Sequence, residues 1–213
     1  MFIFEAIEKN YLTWEVREQI NQNILDLTAQ KNEQNESPFI VACTLKYLPW
    51  VDFLLSIGAE AQELNSSKQN AIMLLIDQDT PLINISALIE LGVDLNQQDK
   101  DGQSPLFYSL NYKRNDLTHL LLSEGANPDV SDKDGNCPLL LAALSGNPRN
   151  LELLLEAGVK LDACNRQGQN ALHMAAISGS VEVLKQLLDA GISVDAKDAL
   201  GQNALHYACS QDN

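Results

Sequence analysis

Gly168-Gln169-Asn170-Ala171-Leu172-His173 opens a phrase that begins again, 33 positions later, at Gly201-Gln202-Asn203-Ala204-Leu205-His206. Between the two openings lie two apolar helical runs and the closing segment Gly191-Ile192-Ser193-Val194-Asp195-Ala196. A fixed period of about 33 residues, holding a turn and two short helices, is the pattern of a stacked helical array. Upstream, turn glycines stand at Gly102, Gly135, Gly168 and Gly201, each 33 after the last. A second series, Gly92, Gly125, Gly158 and Gly191, keeps the same interval and follows the long apolar runs. That is where a helix ends on a left-handed residue, which glycine adopts at little cost.

The residues between the two glycine series resemble the ankyrin repeat. Asp101-Gly102-Gln103-Ser104-Pro105-Leu106, Asp134-Gly135-Asn136-Cys137-Pro138-Leu139 and Asn170-Ala171-Leu172-His173 are similar to that family's T-P-L-H opening. Ser104 or Asn170 is expected to cap the first helix, with Pro105 or Pro138 in its first turn, where a missing N–H costs nothing. Small residues follow (Ala142-Ala143, Ala175-Ala176), then a turn (Ser145-Gly146, Ser178-Gly179), then a longer second helix. The resemblance implies an all-α ankyrin-repeat solenoid, helix-turn-helix units joined by β-hairpin-like loops.

In that register residues 1–34 form an N-terminal capping repeat, with helices at Phe4–Glu8 and Trp14–Ile20 and a closing segment at Asp26–Gln30. Five full repeats cover 35–67, 68–101, 102–134, 135–167 and 168–200, and a partial one covers 201–213. The repeat that opens at Lys68 carries one extra residue, expected within Asp77-Gln78-Asp79-Thr80-Pro81, where Thr80 or Asp79 caps a second helix starting at Pro81. The repeat that opens at Asn35 departs from the pattern between Thr44 and Trp50, where no glycine marks the turn. The last repeat stops without a second helix, so the natural protein is expected to continue past Asn213.

Composition narrows the function classes. The formal charge of −15 argues against nucleic acid, whose binding rests on Lys and Arg neutralising phosphates. Acid exceeds base along the whole chain, 14 Asp/Glu against 5 Lys/Arg through Gln98 and 15 against 9 beyond it. This favours a solvated surface and a partner with a basic, or mixed basic and apolar, face. No apolar run reaches the roughly 20 residues of a bilayer span, and Met1 to Glu5 lack a basic segment, so neither membrane insertion nor a secretory signal is expected. Four scattered cysteines, Cys43, Cys137, Cys164 and Cys209, match no zinc or disulfide spacing. Reduced thiols in an intracellular, cytoplasmic protein are the expectation.

No catalytic, cofactor-binding or metal-ligating set emerges. His173 and His206 occupy the T-P-L-H histidine position, where the resemblance implies hydrogen bonding to nearby backbone, and His119 reads as solvated. Cys43 and Cys209 replace a small buried alanine, Cys137 replaces a capping hydroxyl, and Cys164 is the thiol expected to be most accessible. The pairs Asp132 with Asp134 and Asp99 with Asp101 suggest calcium, but the further ligands of an EF-hand are missing and turn bracing is the better account.

What the resemblance implies is a binding surface on a concave groove. Tip positions are Glu33-Gln34, Ser66-Ser67, Lys100-Asp101, Lys133-Asp134 and Arg166-Gln167. Glu36, Gln69, Gln103, Asn136 and Gln169 follow each turn. The first-helix ends supply Thr44-Leu45, Asp77-Gln78, Asn111-Tyr112, Leu144-Ser145 and Ile177-Ser178, with Tyr47 close by. Leu45, Tyr112, Leu144 and Ile177 are expected to be exposed at equivalent positions, and Tyr112, followed by Lys113-Arg114, is the best single anchor. The resemblance implies a non-catalytic, monomeric adaptor or scaffold module for a protein partner. The alternative is a regulatory or substrate-targeting arm of an enzyme or channel whose active domain lies beyond residue 213.

Overall fold

The computed structural model describes residues 2–21 and 30–210, and the expected closing segment at Asp26–Gln30 lies almost entirely outside them. The chain divides into two compact units, residues 1–100 and 101–213.

The first unit holds α1 (Phe2–Glu8), α2 (Trp14–Asn21), α3 (Pro38–Thr44), α4 (Leu48–Ser56), α5 (Ala71–Leu75) and α6 (Leu82–Glu90). Helix α3 packs against α1 on one side and α5 on the other, and α4 and α6 each pack on the helix before them. Held between neighbours, α3 buries every residue from Pro38 to Cys43. Helices α4 and α6 instead bury a stripe, Trp50, Val51, Phe53 and Leu54 in one and Ile85 and Leu88 in the other. That is how a helix with one face on the core and one on water should look.

Where the turn lacks glycine, the backbone keeps the glycine conformation. Asn35 and Lys68 take φ of 63° and 62° in place of the turn glycine, and Lys46 takes 58° between α3 and α4. A non-glycine residue there costs roughly 1–2 kcal/mol. Ser37 caps α3 through Ile40 N–H at 3.3 Å. The expected caps of α6 are not made: the helix starts at Leu82 with Pro81 before it and no side-chain cap. Thr80 is buried, and its hydroxyl donates backwards to the Leu75 carbonyl and to Asp77 Oδ1. The extra residue therefore forms a side-chain-braced turn that closes α5, and the hydroxyl is used up there.

The second unit holds α7 (Pro105–Asn111), α8 (Asn115–Ser123), α9 (Pro138–Ser145), α10 (Pro148–Glu156), α11 (Ala171–Ser178), α12 (Val181–Asp189) and α13 (Ala204–Ser210). Helices α7, α9, α11 and α13 pack in one row and α8, α10 and α12 in a second row behind it. The core between the rows is Leu106, Leu110, Leu117, Leu121, Leu139, Leu151, Leu154, Ala175, Val183 and Leu187. Asn170 caps α11 as expected, accepting from Leu172 and His173 N–H while His173 Nδ1 accepts from Asn170 N–H at 3.2 Å. Ser104 and Cys137 sit at the cap positions of α7 and α9 without a side-chain cap bond. For Ser104 this corrects the expectation: Pro105 already presets the first turn, and the Phe107 and Tyr108 amides bond to the Ser104 carbonyl instead.

The hairpins between repeats follow one design. A side-chain oxygen of Asn32, Asn65, Asp132, Asn165 or Asp198 accepts two backbone amides, two and four residues further on. Successive hairpins of the second unit are joined by one backbone bond each: Lys133 N–H to Asp101 O, Arg166 N–H to Asp134 O and Ala199 N–H to Gln167 O. The close approach requires glycine, because a Cβ on Gly168 would lie 3.0 Å from the Ala199 nitrogen. In the first unit the same bond runs from Lys100 N–H to Ser67 O.

Candidate functional site

The expected surface residues sort by what already holds them. In the first unit Glu33, Gln34, Leu45 and Gln78 are exposed and Glu36, Tyr47 and Gln69 half-buried. Asp77 is a brace: its carboxylate accepts the Asp79 and Thr80 amides, the Thr80 hydroxyl and the Lys46 ammonium at 2.8 Å. Burial alone would raise its pKa, but the Lys46 and Thr80 hydrogen bonds and the two amides outweigh it and hold the carboxyl far below the usual range.

In the second unit the tips Lys100-Asp101, Lys133-Asp134 and Arg166-Gln167 are expected along one edge. Asp101 pairs loosely with Lys133 at 3.8 Å, and Lys133, Asp134, Arg166 and Gln167 are exposed; Lys100 belongs to the first unit. Asn111, Tyr112 and Lys113 are exposed at the end of α7. Arg114 is committed to Asp116 through two parallel bonds of 2.9 and 2.8 Å, and the guanidinium lowers the Asp116 pKa. Its side chain is 14% exposed, so Arg114 is a structural partner of its own helix start and not the open cation expected beside Tyr112.

The helix-end pairs Thr44-Leu45, Asn111-Tyr112, Leu144-Ser145 and Ile177-Ser178 keep one register, but the four apolar residues drawn from them do not. The left-handed residues that end the first helices are Lys46, Lys113, Gly146 and Gly179. Leu45 and Tyr112 immediately precede that residue, whereas Leu144 and Ile177 stand one position earlier, where Thr44 and Asn111 fall. The four are therefore not equivalent. A step of one residue turns a helical side chain by about 100°. Leu144 (43% exposed) and Tyr112 (40%) are open. Ile177, like Ser145 and Ser178, is half-buried.

Asn136 and Gln169, expected to meet a partner, belong to an internal ribbon of hydrogen bonds. Asn136 Nδ2 donates to Asp132 Oδ2 at 3.2 Å, and Asn165 Nδ2 donates to Asn136 Oδ1 at 3.2 Å and to Gln169 Oε1 at 3.0 Å. Gln169 Nε2 donates to Tyr207 Oη at 2.8 Å, and the Tyr207 hydroxyl donates to Asp198 Oδ2 at 2.6 Å. The ribbon fixes the hairpin bases of three repeats in one alignment. The Tyr207 hydrogen bond lowers the Asp198 pKa, and its reciprocal raises that of Tyr207.

The structure does bring together Gln103, Asn136 and Leu144. They line a cavity of about 80 Å³ with Phe107, Asp132, Leu140, Leu141 and Met174. Leu141 and Met174 were not singled out by the sequence. Each stands six residues after its turn glycine, and that shared offset on the first helix is the signal that could have found them. Asp132 braces its turn, as expected.

The remaining chemistry is structural. His173 is buried, and Nε2 lies 3.1 Å from the Gln202 carbonyl to which it donates, while His206 and His119 are exposed. Burial pushes the Cys43 and Cys137 thiols up. Cys164 is exposed as expected. Cys209, expected in a small buried site, is also exposed, because no further helix covers α13 among the described residues. Among the described residues no group of acidic, His and Cys side chains could hold a metal, and no helix is long and apolar enough to cross a membrane.

No curated protein matches the chain. Three copies of a family model described as ankyrin repeats match it, over residues 3–164 and 139–213.

Proposed function

The chain belongs to the ankyrin-repeat family, whose members are generally non-catalytic protein-interaction modules, and from that premise we propose that it is an adaptor that binds a protein segment on the face of its second unit around Leu144. The observation that carries this reading is the cavity beneath Leu144. It is lined by apolar Phe107, Leu140, Leu141 and Met174, the first two and the last buried, and by polar, half-buried Gln103, Asp132 and Asn136. A shallow apolar depression with a few placed polar groups is the anatomy of an anchor site. The ribbon that consumes Asn136 and Gln169 supports it: the polar lining is held in place before a partner arrives, so little ordering entropy is lost on binding.

The partner expected from the acidic surface is basic or mixed basic and apolar, and the binding unit is monomeric. Display selection of random peptides on the intact chain, counter-screened on Leu144→Glu, tests the reading. Recovered peptides should bind the parent and lose at least about tenfold in affinity on the variant, the loss of one buried apolar contact of roughly 1.4 kcal/mol. Equal binding to both, with Leu144→Glu still folded by circular dichroism, refutes it.

A further inference from the structure

Asp132 carries a charge its turn does not need. The two-amide brace it provides is made as well by the neutral side chains of Asn32, Asn65 and Asn165. At Asp198 the second carboxylate oxygen takes the Tyr207 hydroxyl, so the charge there has a partner. At Asp132 the second oxygen takes only the Asn136 side-chain amide, at 3.2 Å. Among the described residues no cation lies within ion-pair distance of it, and the adjacent Lys133 faces Asp101 instead.

Asp132 lines the cavity together with Leu140, Leu141, Leu144 and Met174. We propose that the cavity is a pocket for one lysine side chain of a partner protein, its methylene stem on Leu141, Leu144 and Met174 and its ammonium on Asp132 Oδ2. The inference rests on the recognition reading above and names the anchor that this reading leaves open. Lysine covers apolar surface with its stem and keeps its charged head at the polar edge. A cavity of about 80 Å³ has room for a slender aliphatic chain. Oδ1 is filled by the Asp134 and Asn136 amides. Only one lone-pair direction on Oδ2 is left, which suits a rotatable ammonium better than the planar two-pronged fork of arginine. The chain's charge of −15 adds attraction at long range.

The natural use of asparagine at this turn supplies a clean variant, since Asp132→Asn keeps the brace and removes the charge. Arrays of short peptides, randomised except for a central lysine, arginine, norleucine or acetyl-lysine, are probed with the parent chain, Asp132→Asn and Leu144→Glu. On the parent, the lysine series should bind about tenfold better than the norleucine and acetyl-lysine series, the worth of one charge-assisted hydrogen bond, and added salt should narrow the gap. On Asp132→Asn, with an unchanged melting curve, lysine and norleucine should bind alike. Norleucine or arginine equal to lysine on the parent, or a lysine preference that survives Asp132→Asn, overturns the lysine pocket. If binding depends on Leu144 but shows no lysine preference, the recognition reading stands and the pocket assignment falls. If no peptide depends on Leu144, both fall.

Discussion

Replacing Asn150 with leucine should stabilise this protein. Asn150 lies in α10 with no exposed surface, and neither its amide oxygen nor its amide nitrogen has a hydrogen-bond partner. Positions 33 residues to either side show what the site holds in neighbouring repeats: Leu117 and Val183, both fully buried. Leucine shares the branching of asparagine but is bulkier, since two methyl groups on a tetrahedral carbon replace the flat amide, so the neighbouring side chains must give slightly, as they do around Leu117 one repeat earlier. An unpaired buried amide costs about 1–3 kcal/mol, and two buried methyl groups contribute about 0.8 kcal/mol each. After some loss to imperfect fit, a gain of about 2 kcal/mol is expected. Urea unfolding followed by helical circular dichroism should show a higher midpoint at an unchanged slope. Because a repeat array can unfold in parts, amide exchange in α10 and in its neighbours α8 and α12 should slow in step. A lower midpoint for Asn150→Leu would mean that the amide is not idle and would refute the reasoning, whatever Asn150→Ala does by opening a cavity.

Three further perturbations test other parts of the fold. Gly158→Ala should cost about 1 kcal/mol, since only its left-handed backbone at φ +77° resists a side chain, whereas Gly168→Ala should cost at least about twice that because its Cβ also meets the next hairpin at 3.0 Å; equal losses in thermal unfolding would remove the hairpin-contact argument. Lys113→Gly should stabilise by about 0.5–1 kcal/mol by relieving a lysine held at φ 55°, and a drop in melting temperature would show that the lysine earns its place. The lowered pKa of Asp77 means that its brace stabilises the first unit above the ordinary carboxylate pKa of about 4 and loses that contribution as pH falls below it; Asp77→Ala should flatten this acid limb of a stability–pH curve, and an unchanged limb would assign it to other carboxylates.

The repeats and the helix-ending glycines were legible because they are backbone requirements, and a left-handed residue leaves a mark at a fixed interval. Asn170 and His173 were legible for the same reason, as the cap is local. Side-chain commitments across repeats were not. Gln169 looks like a free amide in the sequence until Tyr207, 38 residues on, is seen to accept a hydrogen bond from it. Arg114 looks like an anchor until Asp116 is seen to hold it. Leu45 and Tyr112 stand one position later on their helices than Leu144 and Ile177, a difference the sequence conceals because the left-handed residue that sets the register is a lysine at 46 and 113 and a glycine at 146 and 179. Asp132 is legible as a brace, because its two amide bonds are local to the turn.

The single backbone bonds that join successive hairpins, Lys133 to Asp101, Arg166 to Asp134 and Ala199 to Gln167, bear on how the second unit would yield under mechanical load. Each seam has one such backbone bond beside one glycine contact, backed by the packing of the two helix rows, and among the described residues no sheet shares the tension. Pulled by its ends, the unit should therefore peel one repeat at a time from whichever end is looser. Each event should release close to 33 residues of chain, roughly 110 Å of contour at about 3.4 Å per residue, so that a force trace would carry evenly spaced teeth.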